Sequence, residues 1–406
     1  MDIRSVLVYL LVFLGTCVSS LCVEYLLKNV QYEKKSCLTN EHSLITEKKL
    51  KKDFKNCFLL FFVVFFVILT VSIPSTLAAL RGLTVGFDIN TYITKNFSLA
   101  CNSNSLFEFY NESQGIEFLF AVIMYLSARK KSLQLLFFII SVLAILPFYM
   151  GLLKLREKAS VTFSLLLFCF FQYNFSLSGM RQSIAMSILF WAWSKFICKE
   201  YKTSLLLSLI AVLFHSSSSI AIALLLIMYF VCNSTRKNIY IKIILLILPM
   251  MFLLFSKLAI VVSNLVYYLQ PRYSFYIKKY SANGIDLSQI MMTEFMTKTL
   301  IFVTLFFLLY ICRETKKKFV SYILIIIFLG RYFNIFCAVF YESTRIQYHF
   351  DYYLFFFASY AIDKVSHKKT QTNLALKFFV FLIAFSYWIY FIMYIGAYGT
   401  NFYIIR

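Results

Sequence analysis

Residues 57–80 read Cys57-Phe-Leu-Leu-Phe-Phe-Val-Val-Phe-Phe-Val-Ile-Leu-Thr-Val-Ser-Ile-Pro-Ser-Thr-Leu-Ala-Ala-Leu80, without one charged side chain. A bilayer span takes roughly 20 apolar residues, so this stretch alone predicts a membrane-crossing helix. Ser5 to Val23 is a second uncharged run, preceded only by Met-Asp-Ile-Arg. Its position suggests a signal peptide, but Lys28, Lys34, Lys35, Lys48, Lys49, Lys51, Lys52 and Lys55 follow it and make it an anchor that stays. The positive-inside rule then puts the N-terminus outside and residues 28–56 in the cytoplasm as a basic loop. The second span returns the chain to the outer side, where residues 81–115 form a polar loop.

The chain of 406 residues as a whole follows this pattern: 61% are hydrophobic, 19% aromatic and only 14% charged. Water cannot solvate such a chain, and its length allows about ten to twelve spans with short connections. The expectation is a single integral membrane domain over residues 1–406, with no sizeable soluble part. Rossmann, P-loop and DNA-binding architectures are thereby excluded. Only 4 Pro and 10 Gly stand beside 47 Phe and 29 Tyr, which points to an all-α polytopic bundle rather than a turn-rich barrel. The net charge of +22 is topological, since many of the 40 Lys and Arg sit between apolar runs; the partner it implies is the bilayer, not nucleic acid. The 10 cysteines are scattered through those runs with no CxxC pair, so neither a metal site nor a disulfide framework is expected.

Further spans read at about 133–152, 159–178, 182–198, 241–267, 291–311, 319–341, 346–362 and 375–398. Two segments break the rhythm. Ile116 to Ala128 is short and carries Glu117, which suits an interfacial or re-entrant segment. Leu205 to Val231 is interrupted by His215-Ser-Ser-Ser-Ser219, which suits two half-helices meeting inside the membrane. With neither segment crossing, the clusters Lys154/Arg156/Lys158, Lys195/Lys199/Lys202, Arg236/Lys237, Arg313/Lys316/Lys317/Lys318 and Lys364/Lys368/Lys369 all become cytoplasmic.

On that topology the unusual polar residues gather outside. Arg81, Gly86, Asp88 and Tyr92 lie in the first outer loop, Glu117 follows it, and Arg181 and Gln182 sit at the mouth of a span. Arg272 lies in an outer loop over 269–290, Arg345 opens the span that returns from outside, and His215 reaches toward the same face. An ionisable group at membrane depth costs roughly 2.5–3.5 kcal/mol on insertion scales, so several arginines near one surface call for an anionic partner. The guanidinium fork suits phosphate, and a lipid-linked diphosphate is the natural candidate. Each residue has a plainer competitor. Arg181 and Arg272 can anchor helix ends, His215 can tie two half-helices together, and Asp88 can cap a helix or pair with Arg81. His349, four residues after Arg345, shares its helical face and is an outside candidate for a base.

Ser178-Gly-Met-Arg-Gln-Ser-Ile-Ala-Met-Ser-Ile-Leu-Phe190 with Leu209-Ile-Ala-Val-Leu-Phe-His-Ser216 resembles the paired signatures of the EpsG family. Arg81…Val85-Gly86-Phe87-Asp88…Tyr92 resembles its upstream loop, and Arg345-Ile346…Tyr348 a late element; where the family often has Glu-Pro, this chain has Glu117-Phe118. The family comprises multi-pass proteins of exopolysaccharide, capsule and O-antigen synthesis akin to Wzy-type polymerases. The resemblance implies transfer of a growing glycan from polyprenyl diphosphate to a hydroxyl on another lipid-linked repeat unit. Its implied setting is the bacterial cytoplasmic membrane, with the site facing outward and other polysaccharide-assembly proteins as possible partners. Arg181 and Arg345 are the first-choice diphosphate ligands, with Arg81 and Arg272 second and Gln182 beside them. His215, Asp88 or Glu117 supplies the base. No nucleotide cofactor is required, because the donor already carries its leaving group. Two alternatives keep the outer basic site: another polyprenyl-phosphate-dependent glycosyltransferase or O-antigen ligase, and a lipid-linked oligosaccharide flippase. A flippase built from repeats should show internal similarity, and none is visible.

The lysine distribution is testable directly. Single cysteines in a Cys-less background, labelled with an impermeant reagent, are expected to react at position 100 and not at 45. Strong labelling at 45 with none at 100 overturns the orientation.

Overall fold

The structure is a computed structural model and describes residues 2–38, 47–113, 115–219, 287–311, 343–366 and 370–403, with shorter stretches between 221 and 226 and between 319 and 330. Every regular element among these residues is helical. In chain order they are α1 (Ile3–Leu38), α2 (Glu47–Leu80), α3 (Thr94–Asn102), α4 (Leu106–Glu112), α5 (Phe118–Arg129), α6 (Leu133–Lys154), α7 (Val161–Phe168), α8 (Asn174–Ser178), α9 (Met180–Ile197) and α10 (Tyr201–Phe214). They continue with α11 (Leu287–Ile311), α12 (Ser343–Val365) and α13 (Thr370–Tyr387). Short π-helical stretches over Ile89–Ile93, Cys169–Tyr173 and Trp388–Tyr394 lead into α3, join α7 to α8 and extend α13.

Five described stretches are long and apolar enough to span a membrane: Ile3–Asn29, Cys57–Leu80, Leu133–Lys154, Val161–Ser178 and Thr370–Tyr394. The protein is thus an all-α polytopic membrane bundle. The expected spans at 241–267 and over most of 319–341 lie outside the described residues, as does the expected outer loop at 269–290 up to residue 286; its last four residues open α11. The basic stretch 28–56 is largely helical rather than a loop, because Lys, Glu and Leu are good helix formers: α1 runs through Lys28, Lys34 and Lys35, and α2 begins at Glu47. Residues 39–46 are outside the description. α5 has 12 residues, about 18 Å of helix, which is short of the bilayer core. The chain after α10 leaves the helix at His215, whose backbone is extended (φ −158°, ψ 119°), and turns helical again at Ser218.

The described chain forms two compact units, Met1–Ser216 with Gln371–Arg406, and Ser217–Thr370. In the first, α6 and α9 pack closely at Gly151, where a Cβ would stand 2.7 Å from the Phe190 ring. Pro147 lies inside α6 and forces a local break in its hydrogen-bond ladder. Ser187 of α9 bridges the break: its hydroxyl donates to the Ala144 carbonyl and accepts from the Phe148 N–H at 3.1 Å. Without water in the hydrocarbon, a neighbouring helix must take up freed backbone groups in this way.

Polar contacts also sort the ends of this unit. At one end Glu24 accepts from the Val161 N–H and from the Thr162 N–H at 3.3 Å, and Glu200 pairs with Lys154 and, at 2.7 Å, with Lys195. At the other, Tyr9 donates to the Thr400 carbonyl at 3.0 Å, and the Tyr403 N–H to Ser5 Oγ at 2.7 Å. Here Gly86 donates to the Gly399 carbonyl at 2.9 Å and the Phe87 N–H to Ser178 Oγ at 3.1 Å, so the segment after α2 is tied to α8 and to the C-terminal segment. Beneath this tie Asn174 bridges Trp388 Nε1 and Thr400 Oγ1, each at 2.9 Å.

Asn174→Ala deprives both partners of the bridge inside a buried, low-dielectric region and is expected to cost about 1–3 kcal/mol. The check is thermal unfolding of the detergent-purified protein, where an unchanged midpoint would show the bridge to be dispensable.

Candidate functional site

The connection from α8 to α9 consists of Gly179 alone (φ −82°, ψ 58°), and a Cβ there would lie 2.5 Å from the Phe175 ring. The tight turn puts Arg181 in the first turn of α9 at the polar end of the unit. Gly86 (φ +106°) holds the approaching loop, with its would-be Cβ 2.5 Å from the Leu177 carbonyl oxygen, so only a glycine lets the loop come this close to the α8–α9 connection.

Three sequence candidates meet here. Arg181 NH1 donates to Glu117 Oε2 at 2.6 Å and to the Gly115 carbonyl at 2.7 Å. His215 Nδ1 lies 2.9 Å from Glu117 Oε1, and the Ser216 N–H reaches the same oxygen at 3.4 Å. Glu117 is the N-cap residue of α5, but its side chain makes no capping bond; it points across to α9 and to the end of α10. Tyr92 completes the setting: the Arg181 guanidinium lies 4.6 Å over its ring, and its hydroxyl donates to Asp88 Oδ2 at 2.8 Å. Asp88 therefore touches the cluster through Tyr92. The side chains of Arg181, Glu117 and His215 retain 21%, 17% and 11% exposure, enough to be reached from outside the protein.

Burial acts to raise the Glu117 carboxyl, but the hydrogen bond from His215 and the charge of Arg181 outweigh it and hold the pKa down to about 2. Glu117 in this state is an ion-pair partner and a poor proton acceptor. The cluster is close to neutral when imidazole is neutral, because one arginine meets one carboxylate.

Arg81 differs from its sequence-based placing in the outer loop as a ligand. It is 2% exposed, donates from NH1 to the Leu177 carbonyl at 2.6 Å, and lies 4.2 Å over the Phe137 ring. Burial lowers its pKa to about 10, so it keeps its charge at neutral pH. It holds the chain just before Gly179, and so sets where Arg181 emerges. Gln182 follows Arg181 and is buried. Arg345 lies in the first turn of α12, and its side chain is outside the described residues, as is all of Arg272.

The second unit contains a feature that sequence reading passed over. Lys298 of α11 and Asp351 of α12 form an ion pair at 2.5 Å, each side chain fully buried, with Gln347 Nε2 donating to the same carboxylate oxygen at 3.3 Å. His349 is also buried, its Nε2 3.2 Å from Ser218 Oγ. The signal was present as lone charges inside apolar runs; their partnership was not visible.

A bundle of membrane-spanning helices that gathers arginine, carboxylate and imidazole at one end defines a polytopic membrane protein with a charged centre among its loops and helix ends. The chain belongs to the EpsG family, whose family model matches residues 59–405 and so takes in all the candidates above. No curated protein and no solved structure matches it. Membership supports a Wzy-like part in polysaccharide synthesis.

Lys298→Met removes the cation from a buried carboxylate and is expected to cost roughly 3–5 kcal/mol, whereas Lys298→Met with Asp351→Leu should recover most of that loss. Unfolding midpoints of the two purified variants check this, and a single variant as stable as wild type contradicts it.

Proposed function

We propose that the protein is a polysaccharide polymerase that transfers a growing glycan from its polyprenyl diphosphate carrier to a hydroxyl of another lipid-linked repeat unit. The lysine distribution supports a site on the outer side of the cytoplasmic membrane. The observation that carries the reading is the meeting of Arg181, Glu117 and His215 in a member of this family.

The chemistry follows from what the transfer requires. The bond between the donor sugar's anomeric carbon and the diphosphate oxygen breaks, and its electron pair leaves on the diphosphate. The acceptor oxygen bonds to the same carbon, and its proton passes to the hydrogen-bonded Glu117–His215 pair. Free polyprenyl diphosphate and a glycan longer by one transfer are the products. Arg181 stabilises charge growing on the departing diphosphate; Arg345 and Arg272 are the further ligands that the sequence proposes. Arg81 acts one step back, through Leu177, on the position of Arg181. Asp88 orients Tyr92, whose ring lies against the Arg181 guanidinium.

Arg181→Lys keeps the charge and loses the fork. It is expected to remove ~1.5–3 kcal/mol of diphosphate interaction, about ten- to a hundredfold in polymerisation. Arg345→Lys should behave alike. Glycan length on a gel is the readout, with membrane abundance as the control for folding. An interface anchor tolerates lysine, which snorkels equally well, so wild-type chain length in an abundant Arg181→Lys variant removes this residue from the site.

A further inference from the structure

We infer that Glu117 is the resting occupant of the anion site, and that a donor diphosphate binds by displacing it from Arg181. This rests on the diphosphate reading above and says how that site is kept when empty.

The geometry is that of an anion already bound. Donors from two separate segments converge on one carboxylate: Arg181 on Oε2, and His215 Nδ1 with the Ser216 N–H on Oε1. Charged and backbone donors spread over both oxygens are also what a phosphate group requires. Glu117 has no local duty that explains its direction, since it sits at the start of α5 and leaves that helix uncapped. An arginine left alone in this partly buried position would be costly, and the internal carboxylate removes that cost while no substrate is bound.

Exchange of one anion for another is inexpensive here. The stacking of Arg181 on Tyr92 does not involve Glu117, so the guanidinium can keep its plane while its partner changes. The bond from Glu117 to His215 uses the other carboxylate oxygen and can survive the exchange. Once released from Arg181, the carboxylate loses one of the two partners that hold its pKa down, the cation, and keeps the bond from His215, so its affinity for a proton rises. Arrival of the donor therefore prepares the Glu117–His215 pair to take the acceptor's proton, and an acceptor bound without a donor meets a site that is not yet basic.

The test is titration calorimetry with inorganic pyrophosphate on the full-length, detergent-purified protein. Glu117→Gln removes the internal competitor and is expected to bind pyrophosphate about tenfold more tightly than wild type, ~1.4 kcal/mol, while polymerisation falls. Glu117→Asp keeps a shorter carboxylate and should lie between the two, which guards against a folding defect in either variant. If Glu117→Gln binds no more tightly than wild type and Arg181→Lys still weakens binding, the internal occupant is overturned and Arg181 stays a diphosphate ligand. If pyrophosphate binding is absent, or indifferent to Arg181→Lys, the diphosphate reading falls and this inference with it.

Discussion

Hydrocarbon offers no hydrogen bonds, so each polar group carried into a membrane span must find its partner within the chain. The arrangement of this protein follows from that constraint. Pro147 can interrupt α6 because Ser187 supplies both a donor and an acceptor from the next helix. Asn174 can lie under the polar end of the first unit because Trp388 and Thr400 use both ends of its amide. Lys298 and Asp351 can be fully buried because each neutralises the other. In water any of these groups could turn to solvent; here their partners fix which helices pack and in what register.

The same constraint explains where the charged cluster stands. Arginine, carboxylate and imidazole are tolerated where spans give way to short helices and loops, and there only when they satisfy one another. Two glycines make the approach possible. Gly179 closes the α8–α9 turn that places Arg181 in the first turn of α9, and Gly86 lets the segment after α2 lie against Leu177. Arg81 then holds that carbonyl from inside. The residues that bear the proposed chemistry are thus placed by residues that bear none, and the cluster carries its own counter-ion. A site organised in this way can stay stable without substrate and still present an arginine to an anion of the right shape.

Five spans were legible in the sequence, because a run such as 57–80 has only one low-energy environment, and they fall where apolar runs predicted them; the runs expected to span at 182–198, 291–311 and 346–362 lie in α9, α11 and α12, which are not among those five. The break at His215 was legible as well, since four successive serines weaken a helix that already carries an imidazole. The helical continuation of α1 and α2 into the basic segment was not, because lysine clusters report on the side of the membrane and are silent about backbone conformation.

Residue type and order singled out Arg181, Glu117 and His215 as separate candidates, because ionisable groups beside apolar runs are costly enough to need a reason. That Glu117 holds both of the others was decided only by the tertiary structure, since the three positions are 64 and 98 residues apart and nothing in local sequence sets their distance. The same holds for Arg81, whose sequence neighbours suggest an outer-loop ligand and whose side chain instead turns inward to Leu177. Composition determines that a chain enters the membrane and roughly where it crosses. Which polar groups meet depends on how the helices pack, because hydrogen bonds and ion pairs act over a few ångströms and only packing brings distant segments within that range.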